Sequence, residues 1–232
     1  MNMKNIFRSY PLLISVFVTS CLVLPAGCKK ETIRYGTVSD IEGNIYKTVE
    51  IGSLWWMAEN LKTTEYNDGV EIPMVTDNDQ WKVLTSGAYS WYDNNEQYEK
   101  VYGMLYNWFA VNTGKICPAG WHVPSYDDWT YLIDHLGGMN SASAKLRETG
   151  TKHWTYPNTG ATNSSGFAAL PGGYRHPLGD FLEIGNMGYW WFATEASSGT
   201  AWCLTLIYNN SLYTDPHYEK IWGFSVRCVL DF

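Results

Sequence analysis

Ser125-Tyr-Asp-Asp-Trp-Thr-Tyr-Leu-Ile-Asp-His-Leu-Gly-Gly138 reads as one complete helix. Ser125 offers a side-chain oxygen to the unpaired N–H groups of the first turn. Asp128, three residues on, is placed to reach back to the Ser125 backbone. Trp129, Leu132, Ile133 and Leu136 recur on one face, and Gly137-Gly138 ends the helix. Upstream, Tyr102–Val111 is apolar and aromatic almost all round and reads as a second, buried helix, and Ser141–Glu148 allows a short third. The segment from Asn44 to Gly52 alternates as a strand, with Ile45, Lys47, Val49 and Ile51 on one side, and Gly87–Tyr92 is a further strand candidate. Beyond about residue 150, turn residues separate brief apolar runs at Phe167–Leu170, Tyr189–Ala193, Trp202–Tyr208 and Phe224–Leu230. That spacing belongs to a loop-rich antiparallel half. The expected architecture is a single α+β domain, two main helices beside antiparallel strands.

Composition narrows the function. The chain has 232 residues, 45% apolar and 17% charged, enough to bury an ordinary core. Twelve Trp and seventeen Tyr must either fill that core or line a recognition surface. The net charge of −7, with no basic patch, argues against nucleic acid as a partner.

The first residues read as an export signal. Lys4 and Arg8 precede an apolar stretch from Pro11 to Leu24, which is short for a bilayer span. Ala26-Gly27 then precedes Cys28 and the polar Lys29-Lys30-Glu31, the pattern of a bacterial lipoprotein signal with Cys28 as lipid acceptor. Cys21, after Val18-Thr19-Ser20, is the alternative acceptor, and a plain secretory signal or a single membrane anchor is the alternative to lipidation. The expected organisation is a signal peptide over 1–27, a polar tether over 28–39 and the domain over 40–232. Loss of Lys4 and Arg8 with the signal takes the charge to −9. The expected location is the bacterial envelope, as an outer-membrane lipoprotein tied to the membrane by its N-terminal lipid.

Several stretches resemble one family. They are Asp40-Ile-Glu-Gly-Asn-Ile-Tyr46, Trp56-Met-Ala-Glu-Asn-Leu61, Tyr102-Gly-Met-Leu-Tyr-Asn-Trp108, Ile116-Cys-Pro-Ala-Gly-Trp-His-Val-Pro-Ser125, Gly166-Phe-Ala-Ala-Leu-Pro-Gly-Gly-Tyr-Arg175 and Gly223-Phe-Ser-Val-Arg-Cys228. In this order they are similar to the Fibrobacter succinogenes major paralogous domain family, extracellular and often lipid-anchored domains. Trp121–Trp129 and Gly223–Cys228 resemble, more distantly, formylglycine-generating enzymes. The resemblance implies a C-type-lectin-like fold, whose later half usually carries the ligand surface.

The cysteines of the exported chain are Cys117, Cys203 and Cys228, and an oxidising compartment favours one disulfide. Phe224, Val226, Cys228 and Leu230 share one strand face. Trp202, Leu204 and Leu206 share another, which leaves Cys203 facing away. Paired residues on neighbouring strands point the same way, so Cys117–Cys228 is the expected bond.

No catalytic pattern stands out. The histidines His122, His135, His153, His176 and His217 lack metal-ligand spacing, no Gly-x-Ser-x-Gly elbow occurs, and no carboxylate pair is singled out. No cofactor is expected. Asp77-Asn78-Asp79 and Asp93-Asn94-Asn95 hold oxygen ligands suited to calcium, although such runs commonly make turns. Trp56, Trp108, Trp121 and Trp129 read as core. In Tyr189-Trp-Trp-Phe192, an inward Trp191 would turn Trp190 and Phe192 outward. With Asn209, Asn210, Tyr213 and Tyr218 they would form a ligand surface over 187–220, unless these rings cover one another. The expected function is a non-enzymatic module recognising carbohydrate or a protein partner. The alternatives are a structural accessory subunit of a cell-surface assembly and, third, a glycan-active enzyme.

Overall fold

A computed structural model describes residues Thr32–Leu230. The segment expected to be a signal peptide, with Cys21 and Cys28, lies outside the described residues. The helix read first is present as Tyr126–His135, α4 in chain order. Ser125 Oγ accepts the Asp128 N–H at 3.2 Å, and Asp128 Oδ2 accepts the Ser125 N–H at 2.7 Å. At the other end Gly137, at φ 93°, and Gly138 return their N–H groups to Asp134 and Ile133, a Schellman closure. The short following helix is α5, Met139–Leu146.

The expected helix over Tyr102–Val111 is not continuous. The chain forms α2 (Glu99–Tyr102), the two-residue strand β5 (Leu105–Tyr106) and α3 (Trp108–Val111) instead, after an isolated turn α1 (Asn78–Trp81). Gly103 is the break. It sits at φ 73°, and a Cβ there would lie 2.6 Å from the Leu61 carbonyl oxygen. Only glycine adopts that geometry without strain.

Four strands form one antiparallel sheet in the order β1 (Tyr35–Ser39), β2 (Ile45–Ile51), β3 (Leu54–Met57), β11 (Val229–Leu230). Five form the second: β10 (Leu212–Glu219), β9 (Thr200–Ile207), β8 (Met187–Glu195), β6 (Gly172–Arg175), β7 (Phe181–Ile184). β4 (Tyr89–Ser90) pairs with β5. The architecture is α+β. β1 occupies residues expected to be tether, because Tyr35–Ser39 pairs residue for residue with Val49–Ile45. Within β2 the inward residue is Tyr46 rather than Ile45, which is 66% exposed. The Tyr46 hydroxyl is drawn in by Asp40, which accepts its hydrogen bond at 2.6 Å.

β8 and β9 have cores on both sides. Tyr189, Trp191, Ala201 and Cys203 face a layer containing Tyr106, Trp108, Phe224 and Cys228. Trp190, Phe192, Leu204 and Leu206 face Trp56, Trp129 and Leu132. A strand covered on both faces reads as a continuous apolar run. Hence Trp190 and Phe192 are fully buried instead of outward-facing. Trp56, Trp108 and Trp129 are core as expected, while Trp121 is half-buried.

The segment Gly223–Cys228 threads between these layers and bonds a different element at nearly every step. Gly223 exchanges hydrogen bonds with Arg175, Phe224 with Tyr106, and Ser225 with Tyr189 and Trp191. Leu61 and Met57 donate to Val226 and Cys228. Cys228 is bonded to Cys117, across 111 residues of chain. Cys203 is unbonded, as expected, but it is buried in the same layer as Cys228. Its strand simply has no solvent-facing side.

Among the described residues three arginines are fully buried, and none is ion-paired with a carboxylate. Arg227 donates to Asn60 Oδ1 at 2.8 Å and to the carbonyls of Met57, Phe167 and Ala168, with its guanidinium 4.2 Å from the Phe167 ring centroid. Arg175 reaches the Gly179, Val75 and Thr76 carbonyls and Asn78 Oδ1, over the Trp81 ring. Arg147 reaches the Ser143, Tyr208 and Thr159 carbonyls and the Oδ1 atoms of Asn158 and Asn210. Burial lowers the Arg227 pKa to about 9, still charged at neutral pH.

Arg227→Met leaves those acceptors unpaired and is expected to cost about 3–5 kcal/mol. Arg227→Lys does not recover it, since an ammonium lacks the planar fork. A lowered denaturant midpoint at unchanged m-value is the readout. Cys117→Ala with Cys228→Ala is expected to cost about 4–5 kcal/mol by loop entropy, read as a lowered midpoint with a larger m-value because the unfolded chain is freed.

Candidate functional site

Of the residues expected at the ligand surface, the structure brings only Tyr213 and Tyr218 together. Trp190 donates its indole N–H to Asn60 Oδ1 at 2.9 Å, and Phe192 stacks on Trp129 at 5.7 Å, so both are core. Asn209 is exposed in the β9–β10 turn, its Oδ1 accepting the Ser211 N–H. Asn210 sits at φ 76° and spends its Oδ1 on Arg147 at 2.7 Å, which makes it a structural residue.

The register of β10 explains where its tyrosines point. Tyr213 pairs with Thr205 and Asp215 with Cys203, so both share the face of Trp191 and Tyr189. Regular alternation would then bring His217 to that face. The ladder slips between Asp215 and Tyr218, and Tyr218, not His217, pairs with Ala201. Pro216 has no N–H to give a ladder and sits at this bulge on an edge strand. The inserted residue aims Tyr218 inward and leaves the His217 side chain 85% exposed.

What results is an aromatic basin on the outer part of the five-stranded sheet. Phe224, fully buried, forms its floor and stacks on Tyr189 at 5.0 Å and 13°. Tyr218 stands edge-on to Phe224 at 4.9 Å, Tyr174 at 6.4 Å, and Trp222 lies 5.8 Å away. Trp222 in turn touches Tyr174 at 5.0 Å, Tyr218 at 5.2 Å and the His176 ring at 4.7 Å. Tyr174, Tyr213, Tyr218 and Trp222 are half-buried. The Tyr189 hydroxyl is satisfied by Met187 Sδ at 2.9 Å. His176 Nδ1 accepts the Leu178 N–H, leaving Nε2 for another partner.

Tyr174 and Trp222 were not expected at the site. Gly172-Gly173 conceals the strand that carries Tyr174. Trp222 was legible, since it extends the alternation of Phe224, Val226 and Cys228 by one step. Next to the basin, an open groove of about 380 Å³ is lined by Phe109, Pro177, Leu178 and Glu219–Ile221.

The Asp/Asn runs serve the backbone. Asp77 caps α1 through Gln80 N–H, Asn78 accepts from Arg175, Asp79 pairs with Lys82, Asn94 donates to the Thr76 carbonyl and Asn95 caps Gln97. Among the described residues no group of three or more His, Cys, Asp or Glu is placed to share an ion.

The fold is thus a disulfide-tied α+β scaffold with a cluster of half-buried aromatic residues packed over the buried Phe224. By sequence the chain belongs to the Fibrobacter succinogenes major domain family, whose model matches residues 49–230. No curated protein and no solved structure matches it.

Burial is the main cause that raises the Tyr174, Tyr189 and Tyr218 hydroxyls above the ordinary tyrosine value of 10.0, with Tyr213 nearby adding to it. Tyr46 and Tyr106 are raised by burial too. Tyrosines that ionise more readily unfolded than folded give stability present below pH 10 and lost as pH climbs above it. Part of the tyrosinate absorbance is therefore expected to appear only with unfolding, above about pH 10, after that of the exposed Tyr35 and Tyr156. Ionisation of all the tyrosines in the folded protein would contradict these burials.

Proposed function

We propose that the protein is a lipid-anchored envelope domain, attached through Cys28 or alternatively Cys21, that binds carbohydrate at the Tyr174–Tyr213–Tyr218–Trp222 basin. The observation that carries this reading is the set of half-buried rings fixed around the buried Phe224. Aromatic faces carry the negative end of the ring quadrupole and attract the C–H-bearing faces of pyranose rings. The tyrosine hydroxyls and the indole N–H can bond sugar hydroxyls at the same time. The rings are rigid and pre-ordered by their contacts with one another, so little ordering entropy opposes binding. The C-type-lectin-like arrangement suggested by the sequence is consistent with helices beside a loop-rich antiparallel half. The reading involves no catalysis and no metal.

A second reading, an accessory subunit docked on another surface protein, is favoured by the neighbouring groove. Leu178 beside it is 62% exposed. Co-purification of one stoichiometric partner, lost in Leu178→Asp, is the outcome that would support it.

Affinity electrophoresis through polysaccharide gels tests the first reading. Trp222→Ala and Tyr218→Ala are expected to weaken retardation about tenfold or more and, because both rings pack against Phe224, to lower stability as well, though by less than a fully buried ring would. Trp190→Ala, by contrast, is expected to lower stability by about 3–5 kcal/mol. Unaltered mobility of the wild-type protein in every gel would defeat the carbohydrate reading.

A further inference from the structure

The charges around the basin are one-sided. Asp215 lies in the row Trp191–Cys203–Asp215, between Tyr213 and Tyr218 on the same sheet face. Its side chain is 34% exposed. Oδ1 accepts both the His217 backbone N–H and ring Nδ1, each at 2.8 Å. Both bonds fall on that one oxygen, so Oδ2 meets no donor among the described residues. Glu183, on the strand beside Tyr174, acts on the Tyr174 hydroxyl.

The nearby cations are already committed. Lys220 is paired with Glu195, donates to the Ser198 carbonyl at 2.8 Å and lies 4.7 Å from the Trp108 ring centroid. Lys82 is paired with Asp79. His217 faces Asp215, and His176 packs on Trp222. The basin therefore joins π faces, which attract cations, with a carboxylate oxygen free to accept a charged hydrogen bond. An anionic polymer would meet Asp215 and Glu183, while Arg175, next to Tyr174, is fully buried and bonded to carbonyls and Asn78.

We propose that this basin selects glycans bearing free amino groups, such as polymers of glucosamine, with Asp215 receiving the sugar ammonium. The inference rests on the carbohydrate reading above and adds the class of sugar. The test uses the full-length protein, solubilised from membranes in detergent. Binding of glucosamine hexamer is compared with that of N-acetylglucosamine hexamer, at a pH where the amine is protonated and the carboxylates are ionised.

The expected result is about tenfold tighter binding of the amino hexamer, a ratio that shrinks as salt is raised. Asp215→Asn should bring the two hexamers to equal affinity with an unchanged thermal midpoint, and Asp215→Glu should keep part of the preference. Equal affinity of the unaltered protein for both hexamers would overturn the selection by charge while leaving the aromatic basin as a sugar site. Competition by polygalacturonate, or a preference that survives Asp215→Asn, would overturn it as well. Absence of binding to either hexamer and to neutral polysaccharides would remove both readings together.

Discussion

Everything else in this fold leans on three guanidinium groups that have been taken out of water without a direct ion pair. Each is planar, carries five N–H donors and is surrounded by backbone carbonyls and Asn side chains rather than carboxylates. The choice has a physical logic. A loop-rich half contains many carbonyls that no ladder satisfies, and a buried unpaired carbonyl is costly. One arginine answers three of them at once and fixes their mutual positions. Arg227 ties β3 to the 167–168 bend, Arg175 ties the 75–78 loop to β6, and Arg147 ties the end of α5 to the β9–β10 turn. Spread charge and a ring beneath each group moderate the desolvation cost.

The aromatic basin is a by-product of the same construction. Gly223 must bond Arg175 in both directions for the terminal segment to enter the core. That bond fixes Trp222 on one side and Phe224 on the other, and Tyr174 is the residue next to Arg175. A structural staple and three rings of the candidate site are therefore set by a single backbone bridge. Variation in a ligand surface built this way would fall on β10 and the loops, because changes to the bridge would reach the core.

What the sequence made legible was local. The cap, apolar face and glycine stop of α4 follow from side-chain spacing alone, and that helix is where it was expected. The Cys117–Cys228 bond was reached by a parity argument whose conclusion held although Cys203 is as buried as its neighbours. The misreadings share one cause. Alternation tells inside from outside only when a strand has an outside, and β8 and β9 do not, so Trp190 and Phe192 were turned the wrong way. Tyr102–Val111 failed for another reason, as Gly103 is held open by the Leu61 carbonyl, a neighbour more than forty residues away in sequence. Tyr174 lay hidden behind two glycines. The arginines gave no local signal at all, since their partners are carbonyls drawn from several distant segments.

The slipped register at Pro216 makes β10 a counter of parity. Side chains after the bulge take their facing from the number of residues between Tyr213 and Tyr218, whatever those residues are. One residue more or fewer in that short stretch swaps the inward and outward sets downstream, and two restore them. Single-residue length changes at this edge would rewrite the basin wall in one genetic event, while β9, the layer beneath and the three arginine ties stay as they are.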